Sequence, residues 1–117
     1  MKPACQKDDQ FLADVARARA QGRAHLWWLG QSGFLLYASG KSVLFDPYLS
    51  DSLTRKYAQT DKPHVRMTER VIAPDQLNRI DLITCSHNHT DHLDAESLLP
   101  LLDANPRARL VVPRANL

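Results

Sequence analysis

Ser86-His87-Asn88-His89-Thr90-Asp91-His92-Leu93-Asp94 gathers three imidazoles and two carboxylates into one short stretch, directly after the apolar run Ile80-Asp81-Leu82-Ile83-Thr84-Cys85. Imidazole nitrogen and carboxylate oxygen are the ligands that a borderline divalent ion such as Zn²⁺ prefers. The preceding run has the length and composition of a buried strand, and Asp94-Ala95-Glu96-Ser97-Leu98-Leu99 reads as a capped helix start. Strand, ligand loop and helix together predict a rigid mount. A histidine tag or a weak surface patch would lack the interleaved acids and the flanking elements.

Spacing divides the ligands into pairs. On an extended chain His87 and His89 point to the same side and can share one ion. Asp91 and His92 are adjacent, so they converge on a second ion only if the backbone turns sharply. Two ions roughly 3.5 to 4 Å apart can share a hydroxide that is nucleophilic at neutral pH while both cations polarise the electrophile. Hydrolysis is the chemistry that such a pair supports.

Upstream, Trp28-Leu29-Gly30-Gln31-Ser32-Gly33-Phe34-Leu35-Leu36 and Val43-Leu44-Phe45-Asp46-Pro47 read as strands around tight turns. With these segments, His87-x-His89-x-Asp91-His92 resembles the metal motif of the metallo-β-lactamase superfamily, in the branch that includes L-ascorbate-6-phosphate lactonase and N-acyl phosphatidylethanolamine phospholipase D. The resemblance covers about residues 24 to 117. It implies an α+β fold, the N-terminal half of an αβ/βα sandwich. It also implies that His87 and His89 hold a first metal and that Asp91 and His92 hold a second. Asp91 would additionally manage protons as the catalytic residue, and Asp46 would orient the ligands from behind. Asp46 can also be read as a plain Asp-Pro turn residue. The implied cofactor is Zn²⁺, as two ions, with Mn²⁺ or Fe as alternatives.

Members of that family complete their sites with a further His, a bridging Asp and a last His well downstream, whereas this chain stops at Leu117. The expectation is the N-terminal part of a larger metal-dependent hydrolase, using a metal-bound hydroxide on an ester, lactone or phosphodiester. Activity of the chain alone is doubtful, because four ligands from one loop leave each ion under-coordinated. The rival reading is a non-catalytic zinc-binding module, or a fragment that needs a partner to complete its fold. A diiron redox member is disfavoured by the early-strand resemblance, although the ligand types admit iron. Substrate identity does not follow from fold and metal site.

The remaining sequence bounds the class. The chain has 117 residues, 44% of them hydrophobic, enough for one modest core. A net charge of +2 is too weak to argue for nucleic acid. Cys5 and Cys85 offer no disulfide framework, which fits a reducing cytoplasm. No stretch approaches a membrane span and the first residues do not resemble a secretory signal. A small-molecule substrate is the expected partner, and oligomerisation is compatible with the sequence.

Residues 1–23 read as a helical leader. Asp8-Asp9-Gln10 would cap a helix to about Gln21, with Phe11, Leu12, Val15 and Ala16 on one face, Arg17, Arg19 and Arg23 exposed, and Gly22 ending it. Residues 24–117 form the partial domain. His25–Leu29, Phe34–Ala38 and Ser42–Phe45 predict an antiparallel meander, with the adjacent tryptophans Trp27 and Trp28 facing opposite ways and packing on one side. Residues 47–79 read as a long loop or insertion, rich in Arg55, Lys56, Lys62, Arg66 and Arg70. That loop is either solvated or able to receive an anionic substrate. His25 and His64 read as structural or solvated. Asp94 to Asp103 predicts a helix interrupted by Pro100, and residues 107–113 a strand that closes a strand-helix-strand unit.

Overall fold

In the computed structural model, which describes residues 1–116, helix α1 (Asp8–Gln21) leads into strands β1 (His25–Trp28), β2 (Phe34–Ala38) and β3 (Lys41–Phe45). Helix α2 (Ser52–Tyr57) and a 3₁₀ turn (Pro74–Gln76) precede β4 (Leu82–Thr84), and α3 (Ala95–Ala104) joins β4 to β5 (Arg109–Val111). Leu117, the last residue of the expected 24–117 domain, lies outside the described residues. The strands form a single mixed sheet in chain order. β1, β2 and β3 make the antiparallel meander, while β3, β4 and β5 run parallel. The fold is α+β, as the sequence implies.

Period-two alternation explains which face is filled. Trp27, Leu35, Leu44, Ile83 and Leu110 lie in register across all five strands, and Leu35, Leu44 and Ile83 are fully buried. Phe11 and Val15 of α1 and Leu98 and Leu101 of α3 complete the same core. Each such side chain contributes roughly 1.5–3 kcal/mol relative to exposure. The neighbouring row, Trp28, Phe34, Phe45, Thr84 and Val111, points the other way. Trp28 is 45% exposed and Val111 53%. One face of the sheet thus carries helices, and the other is apolar and bare among the described residues.

Several local expectations need correction. Lys7, not the Asp8-Asp9-Gln10 group, occupies the N-cap of α1, and its side chain makes no capping bond. Ala18 rather than Ala16 is buried, and Arg19 is half-buried because its guanidinium donates to Ser42 Oγ at 3.2 Å and to the carbonyls of Asn78 and Arg79. Gly22 does end the helix, at φ 65°, with its N–H returning to the Ala18 and Arg19 carbonyls. Pro100 does not interrupt α3. The carbonyl deprived of a donor belongs to Glu96, which is exposed, so water can replace that bond. The last strand is shorter than 107–113.

Trp27 packs edge-on against Phe11 and donates Nε1–H to Asp14 at 2.9 Å, whereas Trp28 faces outward. Within 47–79, Arg66 is 2% exposed and is spent on backbone. It donates to the carbonyls of Tyr48, Ser50, Leu29 and Thr68 and so cannot greet a ligand. Gly30, at φ 88°, admits this arrangement: a Cβ there would lie 2.5 Å from Thr68 Oγ1 and 3.0 Å from Arg66 Nη2. No helix among the described residues is long and apolar enough to cross a membrane.

Candidate metal centre

Because β3 and β4 are parallel, their carboxyl ends open at the same sheet edge. Asp46 immediately follows β3, and its N–H donates to the Thr84 carbonyl at 2.8 Å. Ser86 follows β4 and Cys85, so the two residues meet. Asp46 accepts from Ser86 N–H at 2.6 Å, from Ser86 Oγ at 2.7 Å and from His92 Nδ1 at 2.8 Å. An ionised carboxylate only accepts, so His92 donates from Nδ1, and in the neutral ring Nε2 keeps its lone pair. Burial works against the Asp46 charge, but the bonds from Ser86 and His92 outweigh it and hold the carboxyl below its ordinary pKa. Asp46 is therefore far more than a turn residue before Pro47.

The loop then folds back on itself. N–H groups of His92 and Leu93 both donate to the His89 carbonyl, at 2.9 and 2.8 Å. This turn brings the ring centroids of His87 and His92 to 3.8 Å and of His87 and His89 to 4.6 Å. His92 Nε2 lies 3.5 Å from Asp91 Oδ2, close to the separation of two ligand atoms on one tetrahedral cation with bonds of about 2.0–2.2 Å. His87 Nδ1 is engaged by Ser86 Oγ at 2.9 Å, leaving Nε2 as its free nitrogen. Half-buried His87, Asp91 and His92 stand beside exposed His89.

The donors are of the right chemistry, with the His87 ring between those of His89 and His92 and Asp91 beside His92. Among the described residues, no three His, Cys, Asp or Glu side chains converge on one cation position. By residue type the set fits a divalent cation, short of a full set of protein ligands.

Supports that sequence reasoning missed come from afar. Ser32, in the turn between β1 and β2, donates Oγ–H to the Asp91 carbonyl at 2.6 Å. Asp94 is 2% exposed and caps α3. Its carboxylate also accepts from Ser50 Oγ at 2.7 Å, Ser52 Oγ at 2.9 Å and Ser97 Oγ at 2.5 Å. The motif's downstream flank is thereby pinned to the loop after β3. Cys85, behind the loop, is pushed up to about 11 by burial and by the Asp46 charge, and stays a protonated thiol. His25 is structural, with Nδ1 against the Arg23 carbonyl and its ring stacked on Trp27. His64, read from sequence as structural or solvated, packs edge-on against Tyr48 and lines a cleft shared with the motif.

Residues 25–114 match the family model described as a beta-lactamase superfamily domain. The chain is 42% identical over 71 residues to the mitochondrial N-acyl-phosphatidylethanolamine-hydrolyzing phospholipase D of Saccharomyces cerevisiae, an alignment spanning 61% of this chain and 14% of that protein. It is 36% identical over 84 residues to a metal-dependent hydrolase of Hyperthermus butylicus, spanning 72% of this chain and 29% of that one. Among solved structures, CmlA, a diiron beta-hydroxylase from Streptomyces venezuelae, superposes with a TM-score of 0.54 at 26% identity, covering 79% of this chain and 16% of CmlA. The chain thus spans less than a third of the length of these relatives. A domain match over most of the chain, on the strands and the histidine-rich loop, shows that the protein belongs to the metallo-β-lactamase superfamily.

Proposed function

We propose that this chain contributes half of the active site of a metal-dependent hydrolase acting on an ester, lactone or phosphodiester. His87 and His89 would hold one divalent cation and Asp91 and His92 another. When bound, such cations activate water at neutral pH and polarise the scissile centre. Zn²⁺ suits the donors, and Mn²⁺ or Fe would also be accepted. The observation that carries the reading is the Asp46–His92 pair, which fixes the ring so that Nε2 faces its Asp91 neighbour. That is the carboxylate-histidine arrangement by which metal sites orient a ligand. Asp91 would also take a proton, its backbone being anchored by the bond from Ser32 Oγ to its carbonyl.

One observation favours a second reading for the chain by itself. The apolar row Trp28, Phe34, Phe45 and Val111 is uncovered, and the ligands come in pairs rather than triads. A partner layer that covers the face and supplies the missing ligands would make the isolated chain a metal-binding module without turnover. Hydrolysis of bis(p-nitrophenyl) phosphate and of p-nitrophenyl acetate by the zinc-loaded chain separates the two. Turnover lost in Asp91→Ala supports the hydrolase, and tightly held metal without turnover supports the module.

A further inference from the structure

His64 is the one upstream imidazole that faces the motif. It lines a cleft of about 660 Å³ whose near wall carries Leu53, Lys56 and Tyr57 and whose far wall is Asn88, His89, Thr90 and Asp91. Its ring meets the fully buried Tyr48 edge-on, with centroids 6.2 Å apart, and is positioned by that contact. Its Nδ1 is enclosed and has no hydrogen-bond partner.

An enclosed ring nitrogen without a partner is tolerated better as a bare lone pair than as a stranded N–H. The proton is therefore assigned to Nε2, the remaining polar atom of a ring that lines the cleft. Lys56, an exposed cation whose ammonium lies 5.3 Å from the Tyr57 ring centroid, adds further donors to the same wall. Donors stand on one wall, and His89 and Asp91 of the motif on the other.

We infer that His64 and Lys56 form an oxyanion-binding wall, which holds a phosphoryl or carboxylate group of a substrate whose reacting bond lies at the motif. This deepens the hydrolase reading and rests on it for the location of the reacting bond. The near wall accounts for the enclosed nitrogen. Fixing Nδ1 as the lone-pair atom commits the other nitrogen to donate, which an anionic oxygen can accept.

Titration of the chain with inorganic phosphate, and separately with acetate, tests this, with EDTA-treated and zinc-loaded protein compared at low ionic strength. The expected result is movement of the His64 imidazole resonances with at least one anion. Affinity should fall roughly fivefold in His64→Gln and in Lys56→Gln, while metal content is unchanged in both. Lys56→Gln alters an exposed side chain and stays informative if the His64 variant fails to fold. Unmoved His64 signals, or wild-type affinity in folded variants, would overturn the wall. A His64 response in protein that retains no zinc after loading and dialysis would support the wall and count against the metal reading alone.

Discussion

Replacing Asp46 by Asn isolates the contribution of one carboxylate to the metal centre. The amide keeps the shape but only one acceptor oxygen. At present Asp46 accepts three bonds, two from Ser86 and one from His92, at 2.6 to 2.8 Å. If the remaining oxygen stays with the Ser86 N–H, the amide nitrogen faces Ser86 Oγ and His92 Nδ1. It then donates to Nδ1, which drives the imidazole to the tautomer with its proton on Nε2, the nitrogen meant for metal. Loss of such an orienting partner costs about 10- to 100-fold in metal affinity, or about 1.4–2.7 kcal/mol. Competition with a chromophoric zinc chelator at neutral pH measures this, and far-ultraviolet circular dichroism confirms an intact fold. Wild-type zinc affinity in folded Asp46→Asn would refute the reasoning that His92 is a ligand oriented from behind.

Asp94→Ala removes the cap of α3 and strands three serine hydroxyls around a buried position. A loss of about 3–5 kcal/mol is expected in urea denaturation, a large share of the stability of a domain this size. Cys85 should resist a disulfide reagent at mildly alkaline pH while exposed Cys5 reacts, giving one thiol per folded chain and two after unfolding. The same thiol sets the sign of an alkaline effect. Its folded pKa of about 11 exceeds the ordinary value of 9.0, so the unfolded chain ionises first. Stability is full below the ordinary value and falls by at most about 1.4 kcal/mol per pH unit between the two. Denaturation midpoints of wild type and Cys85→Ser across that range show whether the slope belongs to this residue.

How much could be read in advance depended on whether a residue's role is local. The alternation that buries Leu35, Leu44 and Ile83 is a period-two pattern, and the helix of residues 8–21 ends at a glycine, so both were legible. The candidate ligand stretch stood out because its donor side chains are neighbours in sequence. Arg19 was misread as exposed, and Arg66 as solvated or free to receive an anion, because neutral carbonyls satisfy them, and carbonyls leave no trace in composition. Ser32 and Asp91 are 59 positions apart, and only the strand pairing joins them. His64 was set aside for a related reason: the cleft that it lines is made by two loops distant in sequence. Asp46, by contrast, carried a family resemblance, and the parallel pairing of β3 with β4 gives that resemblance a physical cause.

The most direct measurement is divalent metal content per chain by elemental analysis after exhaustive dialysis, for wild type beside His87→Ala, His89→Ala and His92→Ala. Stoichiometric metal in the wild-type chain, removed by EDTA and reduced in each variant, is the predicted result. Wild-type protein that retains no metal, or variants that retain as much as wild type, would contradict the claim that the side chains from His87 to His92 are ligands.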